Sequence, residues 1–487
     1  MVDAHDEEID EARRLLDAGD AQIARVLLQR QRDRAWKELT PHQRFRVVTN
    51  LGVSYMATDD RERAAELLIE GASYEPDTEK SSANRAIALE LRGETDDAYA
   101  AATAVSRKFP GSATALAARI RNAPAATTWE ELTSWVADDL GADATVAMAL
   151  ALRALHLRRP DDGEHWAARA VAGAEEPSKA QYLVVQGRAM IQATLRRAGL
   201  GGGQLSEDDS HRLRDAIRLL SAAIESLGSR IPTLVGEAYA HRSQAHDFLG
   251  DQAAAARDAD EAERLAPDNP FVLLSAAERC LVSNEWSRAA SHARRAIELH
   301  IGPPASYVLV RALWSRNESG DRLEAAEILV SLARTKGLSS PSSAVYEATR
   351  ALCDVGRAQD AWSLVDEMSE ALGSAVHTHR AFLAVATGDI DRARTEVEHA
   401  LGAGWEDLGS GDQRRLAAVL VELKRDANAL PVLTALHRPG KLDDDTGRLI
   451  DCAFRLGRHE LVLQVSAALR EAGVRDPRVL RNELSLL

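Results

Sequence analysis

A Gly, Asp or Asn followed five residues later by Ala recurs along this 487-residue chain at nearly regular intervals. The landmark falls at Gly19/Ala24, Asp59/Ala64, Gly93/Ala98, Gly250/Ala255, Asn284/Ala289, Gly320/Ala325, Gly356/Ala361 and Gly388/Ala393, with looser copies at Lys424/Ala429 and Gly457/Val462. The step is 34 residues from Asp59 to Gly93 and again from Gly250 to Asn284, and later steps are 36, 36, 32, 36 and 33. A fixed period of this length marks a repeat architecture, in which each unit buries its apolar face only against its neighbours. The landmark itself reads as a helix, a tight turn and a second helix. Glycine suits the end of the first helix because the residue there turns left-handed, which Asn and Asp tolerate better than other side chains. The Ala five residues on is expected where the second helix crosses the first. A larger side chain there would overpack the crossing, at a cost of about 1–3 kcal/mol.

Composition agrees with a helical chain. Apolar residues make up 45% and aromatics only 4%. Alanine and leucine dominate the apolar set, and both favour helix. The length suits about three ordinary domains or one long solenoid without boundaries.

The segment from Arg44 to Pro76 closely resembles a tetratricopeptide repeat, with Leu51, Gly52 and Tyr55 on a first helix, Ala64 and Leu68 on a second, and Pro76 in the exit turn. Phe109-Pro110 and Ala266-Pro267 repeat that exit, since proline stops a helix. Val48 stands where the family has an early Trp, and Gly337 replaces the exit proline after Gly320. The resemblance is strong over 43–112 and 236–301 and fair over 303–475. It implies an all-α solenoid of helix-turn-helix repeats forming a right-handed superhelix, whose first helices line a concave face.

Between Gly93 and Gly250 the register fades over 157 residues, room for about four repeats. Helices are expected over Trp129–Asp139, Asp143–Leu157, Glu164–Ala174, Lys179–Ala198 and Asp209–Leu227, with Gly163/Ala168 as a further landmark. Gly201-Gly202-Gly203 makes a flexible connection. It is either a hinge between two arrays or an extended loop inside one solenoid. The expected organisation is an N-terminal array over 1–122, irregular helical repeats over 123–205, and a C-terminal array over 206–487.

The formal net charge of −15 argues against general nucleic-acid affinity. The acidic start, Met1 to Glu8, has neither a basic region nor an apolar one, and no apolar run reaches the roughly 18 residues of a membrane span. A cytoplasmic location is expected. Three cysteines, Cys280, Cys353 and Cys452, are too scattered for a disulfide framework or a zinc site. In repeat register all three fall in first helices and read as small buried hydrophobes. No phosphate loop, H-E-x-x-H or nucleophile elbow is present, so no catalysis, cofactor or metal is expected. His377 and His379 are two apart and diverge on a helix, as do His241 and His246.

One polar stripe stands out as a peptide-binding candidate. Asn50 and Asn84 are 34 residues apart on adjacent first helices, with Arg46 and Lys80 four residues before them. The i, i+4 spacing places Arg46 with Asn50, and Lys80 with Asn84, on one face. The tetratricopeptide resemblance puts that face in the groove, where relatives hold a peptide's terminal carboxylate with asparagines and basic residues. Ile9 and Arg13 in the preceding repeat depart from that pattern, so a ladder of amides gripping peptide backbone fits better than a carboxylate clamp. An Asn amide donates to a carbonyl and accepts from an N–H. The run from Arg25 to Arg46 is locally basic, either as a solvated helix face or as a rim to the groove. In the C-terminal array the equivalent positions are His241, Ser275, Arg311, Glu347, His379, Arg415 and Arg448, a differently tuned surface. The expected function is a non-catalytic scaffold or adaptor that binds a protein or peptide, without nucleic acid or membrane. The alternative is a peptide- or ligand-responsive regulator that acts by changing solenoid curvature.

Overall fold

The computed structural model describes residues 4–58, 60–137, 140–176, 178–198, 205–228, 230–299, 301–335 and 340–474, and divides the chain into two compact units, Met1–Ala276 and Ala277–Leu487. Among the described residues every regular element is helical.

The first unit opens with α1 (Ala4–Asp17), α2 (Ala21–Ala35), α3 (Pro41–Met56), α4 (Arg61–Tyr74), α5 (Glu79–Leu91), α6 (Thr95–Lys108) and α7 (Ala113–Arg121). It continues through α8 (Trp129–Ser134), α9 (Ala144–His156), α10 (Pro160–Gly173), α11 (Ser178–Arg197), α12 (Glu207–Leu227), α13 (Pro232–Phe248) and α14 (Gln252–Leu265). α15 (Pro270–Val282) straddles the boundary. The second unit holds α16 (Trp286–Glu298), α17 (Pro303–Arg316), α18 (Asp321–Ala333), α19 (Pro341–Asp354), α20 (Ala358–Glu367) and the single turn α21 (Ser369–Leu372). Three pairs complete it: α22 (Val376–Ala386) with α23 (Ile390–Gly402), α24 (Ser410–Glu422) with α25 (Asp426–Leu436), and α26 (Asp444–Arg455) with α27 (His459–Glu471).

Within each unit most helices pack chiefly on their sequence neighbours, and first helices also touch across pairs, as α1 does with α3 and α22 with α24. This tandem order of helix pairs is a tetratricopeptide-like α-solenoid. Its cause is the landmark. Gly19, Gly93, Gly250, Gly320, Gly356, Gly388 and Gly457 all turn left-handed, as do Asn284 and Lys424, with φ from 58° to 90°. Asp59 lies outside the described residues. Five residues after each landmark, Ala24, Ala64, Ala98, Ala255, Ala289, Ala325, Ala361, Ala393, Ala429 and Val462 are all buried. The larger side chains then close the layers. Ile9, Leu28, Val47, Val48 and Leu51 fill one core in the first unit, and Leu416, Leu420, Leu433, Leu449 and Leu469 one in the second. Each such burial stabilises by about 1.5–3 kcal/mol.

Pro76, Phe109-Pro110 and Ala266-Pro267 fall just past α4, α6 and α14, as expected of exit turns. In later repeats proline sits instead at the first helical position, at Pro303 and Pro341, where its missing N–H costs nothing. Gly337 lies outside the described residues.

The centre differs from expectation in two places. The helix expected over Trp129–Asp139 ends at Ser134. The helix expected from Glu164 starts at Pro160, because Arg158 is the left-handed residue of that turn, at φ 57°. Gly163 is therefore not the turn glycine. It stands five residues after Arg158, in the place alanine takes elsewhere, and a Cβ on it would lie 2.9 Å from Leu155 Cδ2.

Gly201 to Gly203 lie outside the described residues. The flanking helices α11 and α12 pack along each other, with Val184, Ile191, Leu213 and Leu220 in one core. One contact in the first unit spans far more sequence than a repeat. Arg230, just before α13, donates from Nη1 to the Ala18 carbonyl at 2.6 Å, across 212 residues.

Candidate functional site

The N-terminal stripe sits on α3 and α5. Arg46 reaches back across the face to α1 and pairs with Asp6 at 2.9 Å and with Asp10. Asn84 donates from Nδ2 to Thr49 Oγ1 at 3.3 Å, so it meets α3 one residue before Asn50. Asn50 is 7% exposed, and among the described residues its amide has no hydrogen-bond partner. Lys80 is exposed near the start of α5. Asn84 is thus brought against the stripe of α3, Arg46 is committed to two carboxylates, and Lys80 faces solvent. Thr49 and the acids of α1 are the neighbours that the repeat period alone does not reveal. They come from residues outside the Arg/Asn register.

Several arginines of the basic run bond to other helices, while Arg34 and Lys37 are exposed. Arg25 donates to the Ser54 carbonyl at 2.7 Å and stacks 3.9 Å over the Tyr55 ring. Arg30 pairs with Glu8, and Arg32 with Glu70 across to α4 at 2.8 Å. Arg44 caps the Trp36 carbonyl at 3.1 Å. Arg25, Arg30 and Arg32 thus tie α2 to α3, α1 and α4.

The second unit carries a more open feature. A cavity of about 820 Å³ is lined from α19 by Ser343 and Tyr346, from α24 by Arg414 and Arg415, and from α26 and the turn before it by Lys441, Asp443, Asp444, Asp445 and Arg448. Arg415 and Arg448 belong to the groove register read from the sequence. Asp443 accepts from the Thr446 N–H at 2.9 Å and so caps α26. Asp445 takes Arg414 Nε at 2.7 Å, linking neighbouring first helices. The Arg415 guanidinium lies 4.5 Å over the Tyr346 ring. Lys441 is exposed at the mouth. The lining therefore presents cations and carboxylates side by side with one aromatic face.

Beneath the cavity lies a buried polar knot. Ser342 Oγ donates to Asp412 Oδ1 at 2.5 Å and lies 2.8 Å from His379 Nε2. Arg415 Nη1 donates to the same Ser342 oxygen at 2.9 Å. His379 has no exposed surface, and its Nδ1 has no partner among the described residues. Burial lowers its pKa, against the opposing pull of Asp412. Burial alone would raise the Asp412 pKa, but the bonds from His379 and Ser342 and the Arg415 charge outweigh it and hold it below the usual carboxylate range. Serine, histidine and aspartate together suggest a nucleophilic triad, but the geometry is wrong for one. A triad needs the carboxylate on Nδ1 and the serine proton directed to Nε2. Here the carboxylate is on the Nε2 side, 3.4 Å away, and takes the serine proton itself. The knot ties α19, α22 and α24 together.

Two groove-register residues are thus corrected. His379 is buried beneath the floor, and His241 is 2% exposed, stacked 4.2 Å from Phe271 with its pKa lowered well below the ordinary value by burial. Arg311 and Glu347 are exposed, and Ser275 is half-buried. The divergence of His377 from His379 holds. Cys280 and Cys452 are buried and Cys353 partly so.

No family model and no curated protein matches the sequence. Solved structures do align with it. Yeast Tom70 is 14% identical with a TM-score of 0.40, covering 99% of this chain and 94% of that one. The Cut9-Hcn1 hetero-tetramer of the APC/C aligns at 12% identity and TM-score 0.33, covering 100% and 97%. A tetratricopeptide repeat protein from Parabacteroides merdae aligns at 16% and 0.29, covering 63% and 98%. The class, a tetratricopeptide-like α-solenoid, rests on the chain's own helix pairs, turns and buried alanines. Among the described residues no helix is long and apolar enough to cross a membrane.

Proposed function

We propose that this chain is a protein-interaction scaffold that holds an extended peptide or protein segment, as a non-catalytic subunit of a larger cytoplasmic complex. The carrying observation is the open cavity of about 820 Å³ between α19, α24 and α26. Its mixed lining suits a polypeptide of mixed charge, since Lys441 and Arg448 offer donors to carbonyls and carboxylates and the exposed Asp444 offers an acceptor to N–H groups. Arg46, Asn50, Lys80 and Asn84 are proposed as a second contact surface. Its support is the Asn50 amide, which has no hydrogen-bond partner among the described residues. Asn84 keeps one N–H and its carbonyl for a ligand while bonded to Thr49.

The test is capture of partners from the native cell by the full chain, followed by affinity measurement for the recovered segment. Lys441→Ala with Arg448→Ala removes two cations of the lining. Hydrogen bonds to charged groups are worth about 1.5–3 kcal/mol, so affinity should fall about ten-fold or more. Asn50→Ala with Asn84→Ala should weaken a segment held at the N-terminal surface. A segment bound equally well by both double variants sinks the groove reading.

A further inference from the structure

Outside both grooves, the pair α22/α23 brings three metal-ligating side chains together. His377 lies near the start of α22, and Glu396 and His399 lie one turn apart on α23. One ligand atom from each lies within 4.8 Å of the other two. His377 Nδ1 is 2.8 Å from Glu396 Oε2, and His399 Nδ1 is 4.0 Å from the same oxygen. The two imidazoles are 5.0 Å apart between centroids. We propose that His377, Glu396 and His399 form a binding site for a divalent transition ion of the zinc type, with three protein ligands and an open fourth position.

The donor set argues for the ion class. Two imidazoles and one carboxylate suit zinc and its first-row neighbours, whereas calcium and magnesium prefer oxygen alone. The spacing fits as well. Metal–nitrogen bonds of about 2.0–2.1 Å in a tetrahedral shell put ligand atoms roughly 3.3 Å apart. The present separations fall on both sides of that value, so closing the site asks for about an ångström of side-chain movement. The burial pattern allows it. Glu396 is 13% exposed and held, His377 is 30% exposed, and His399 at 58% is free to swing in. Ligation through His377 Nδ1 needs the imidazole tautomer with its proton on Nε2, so the ion would take the place of the present Nδ1···Glu396 hydrogen bond. His379, two residues along, points instead to Ser342 and takes no part.

A bound ion would staple α22 to α23 and leave one coordination position facing solvent, open to water or to a side chain from a partner. The structural alternative is an imidazole–carboxylate ion pair beside a second exposed histidine, with no ion.

The experiment titrates metal-free full-length chain with ZnCl2 by calorimetry, and with CoCl2 by visible absorption. Expected are one zinc per chain, a cobalt spectrum of four-coordinate character, and a weakening of at least about ten-fold in each of His377→Ala, Glu396→Gln and His399→Ala. His459→Ala, at an exposed histidine elsewhere, should bind as the native chain does, and circular dichroism checks that each variant keeps its helices. CaCl2 and MgCl2 should give no heat at the same concentrations. Absence of zinc binding, or zinc binding equal in native chain and all three ligand variants, overturns the site. Calcium binding that matches zinc overturns the ion class. None of these outcomes depends on the peptide grooves.

Discussion

The repeat turns make a quantitative demand on the backbone that two residues meet badly. Lys424 and Arg158 hold φ of 58° and 57°, in turns where most other repeats place glycine. Both side chains are exposed, and among the described residues neither makes a hydrogen bond. Replacing either with glycine therefore changes the backbone and little else. A left-handed conformation costs a residue with a Cβ about 1–2 kcal/mol. Glycine's greater freedom in the unfolded chain returns about 0.4–1 kcal/mol of that. Lys424→Gly and Arg158→Gly should each stabilise by roughly 0.5–1 kcal/mol, and because they lie in different units the effects should add. The reverse change completes the test. A Cβ on Gly388, at φ 77°, would meet nothing within 4 Å, so Gly388→Lys should destabilise by a similar amount through the backbone alone. Urea unfolding followed by circular dichroism reads the sum. Hydrogen exchange of α24 and α25 reads the local effect of Lys424→Gly, which matters because long repeat arrays need not unfold in one step. A destabilised Lys424→Gly, or a neutral Gly388→Lys, would refute the turn argument.

Other outcomes follow from single contacts. Gly187→Ala would set a Cβ 2.7 Å from Leu220 Cγ, and the overpacking should cost about 1–3 kcal/mol in thermal or urea unfolding. The Cys452 thiol is pushed up to about 11, by burial first and then by its bond to Asp426. Iodoacetamide at pH 8 should label it about a hundred-fold more slowly than an ordinary thiol, and at the ordinary rate once urea unfolds the chain. His379 and His241 have depressed pKa values in the folded chain, so below the ordinary histidine range the unfolded state binds more protons. Stability should then fall on acidification below about pH 6.5, with a limiting slope of about 1.4 kcal/mol per pH unit for each histidine, and be flat above it. His379→Gln should remove its share of that slope; an unchanged urea profile between pH 5.5 and 7.5 would refute the assignment.

The fold was legible because one local requirement, a left-handed residue followed five residues later by a buried small one, recurs in most of the described pairs. That requirement is carried by residue types readable one at a time. Gly163 shows where such reading fails. Glycine serves either a left-handed turn or a close helix approach, and only the three-dimensional placement of Leu155 separates the two. The candidate sites were less legible for a related reason. A period names the residues that share a face, and Arg415 and Arg448 were found that way. It does not name what packs over that face, so the acids that neutralise Arg46 and the depth of His379 went unseen. Glu396 and His399 are visible as a one-turn pair on α23. Their third member lies on the neighbouring helix, 19 residues before Glu396, and only the antiparallel pairing aligns it.

The bond from Arg230 to Ala18 gives the first unit a property that neighbour-to-neighbour stacking lacks. Its length depends on the sum of the small rotations made by every helix pair between its ends, as a vernier adds divisions too fine to read singly. A ligand that turned each pair slightly in the same sense would leave every local contact intact and still pull this one apart. Amide exchange at Gly19 and Asp20, followed as a bound segment is added, would then report a change in curvature that no single helix contact records.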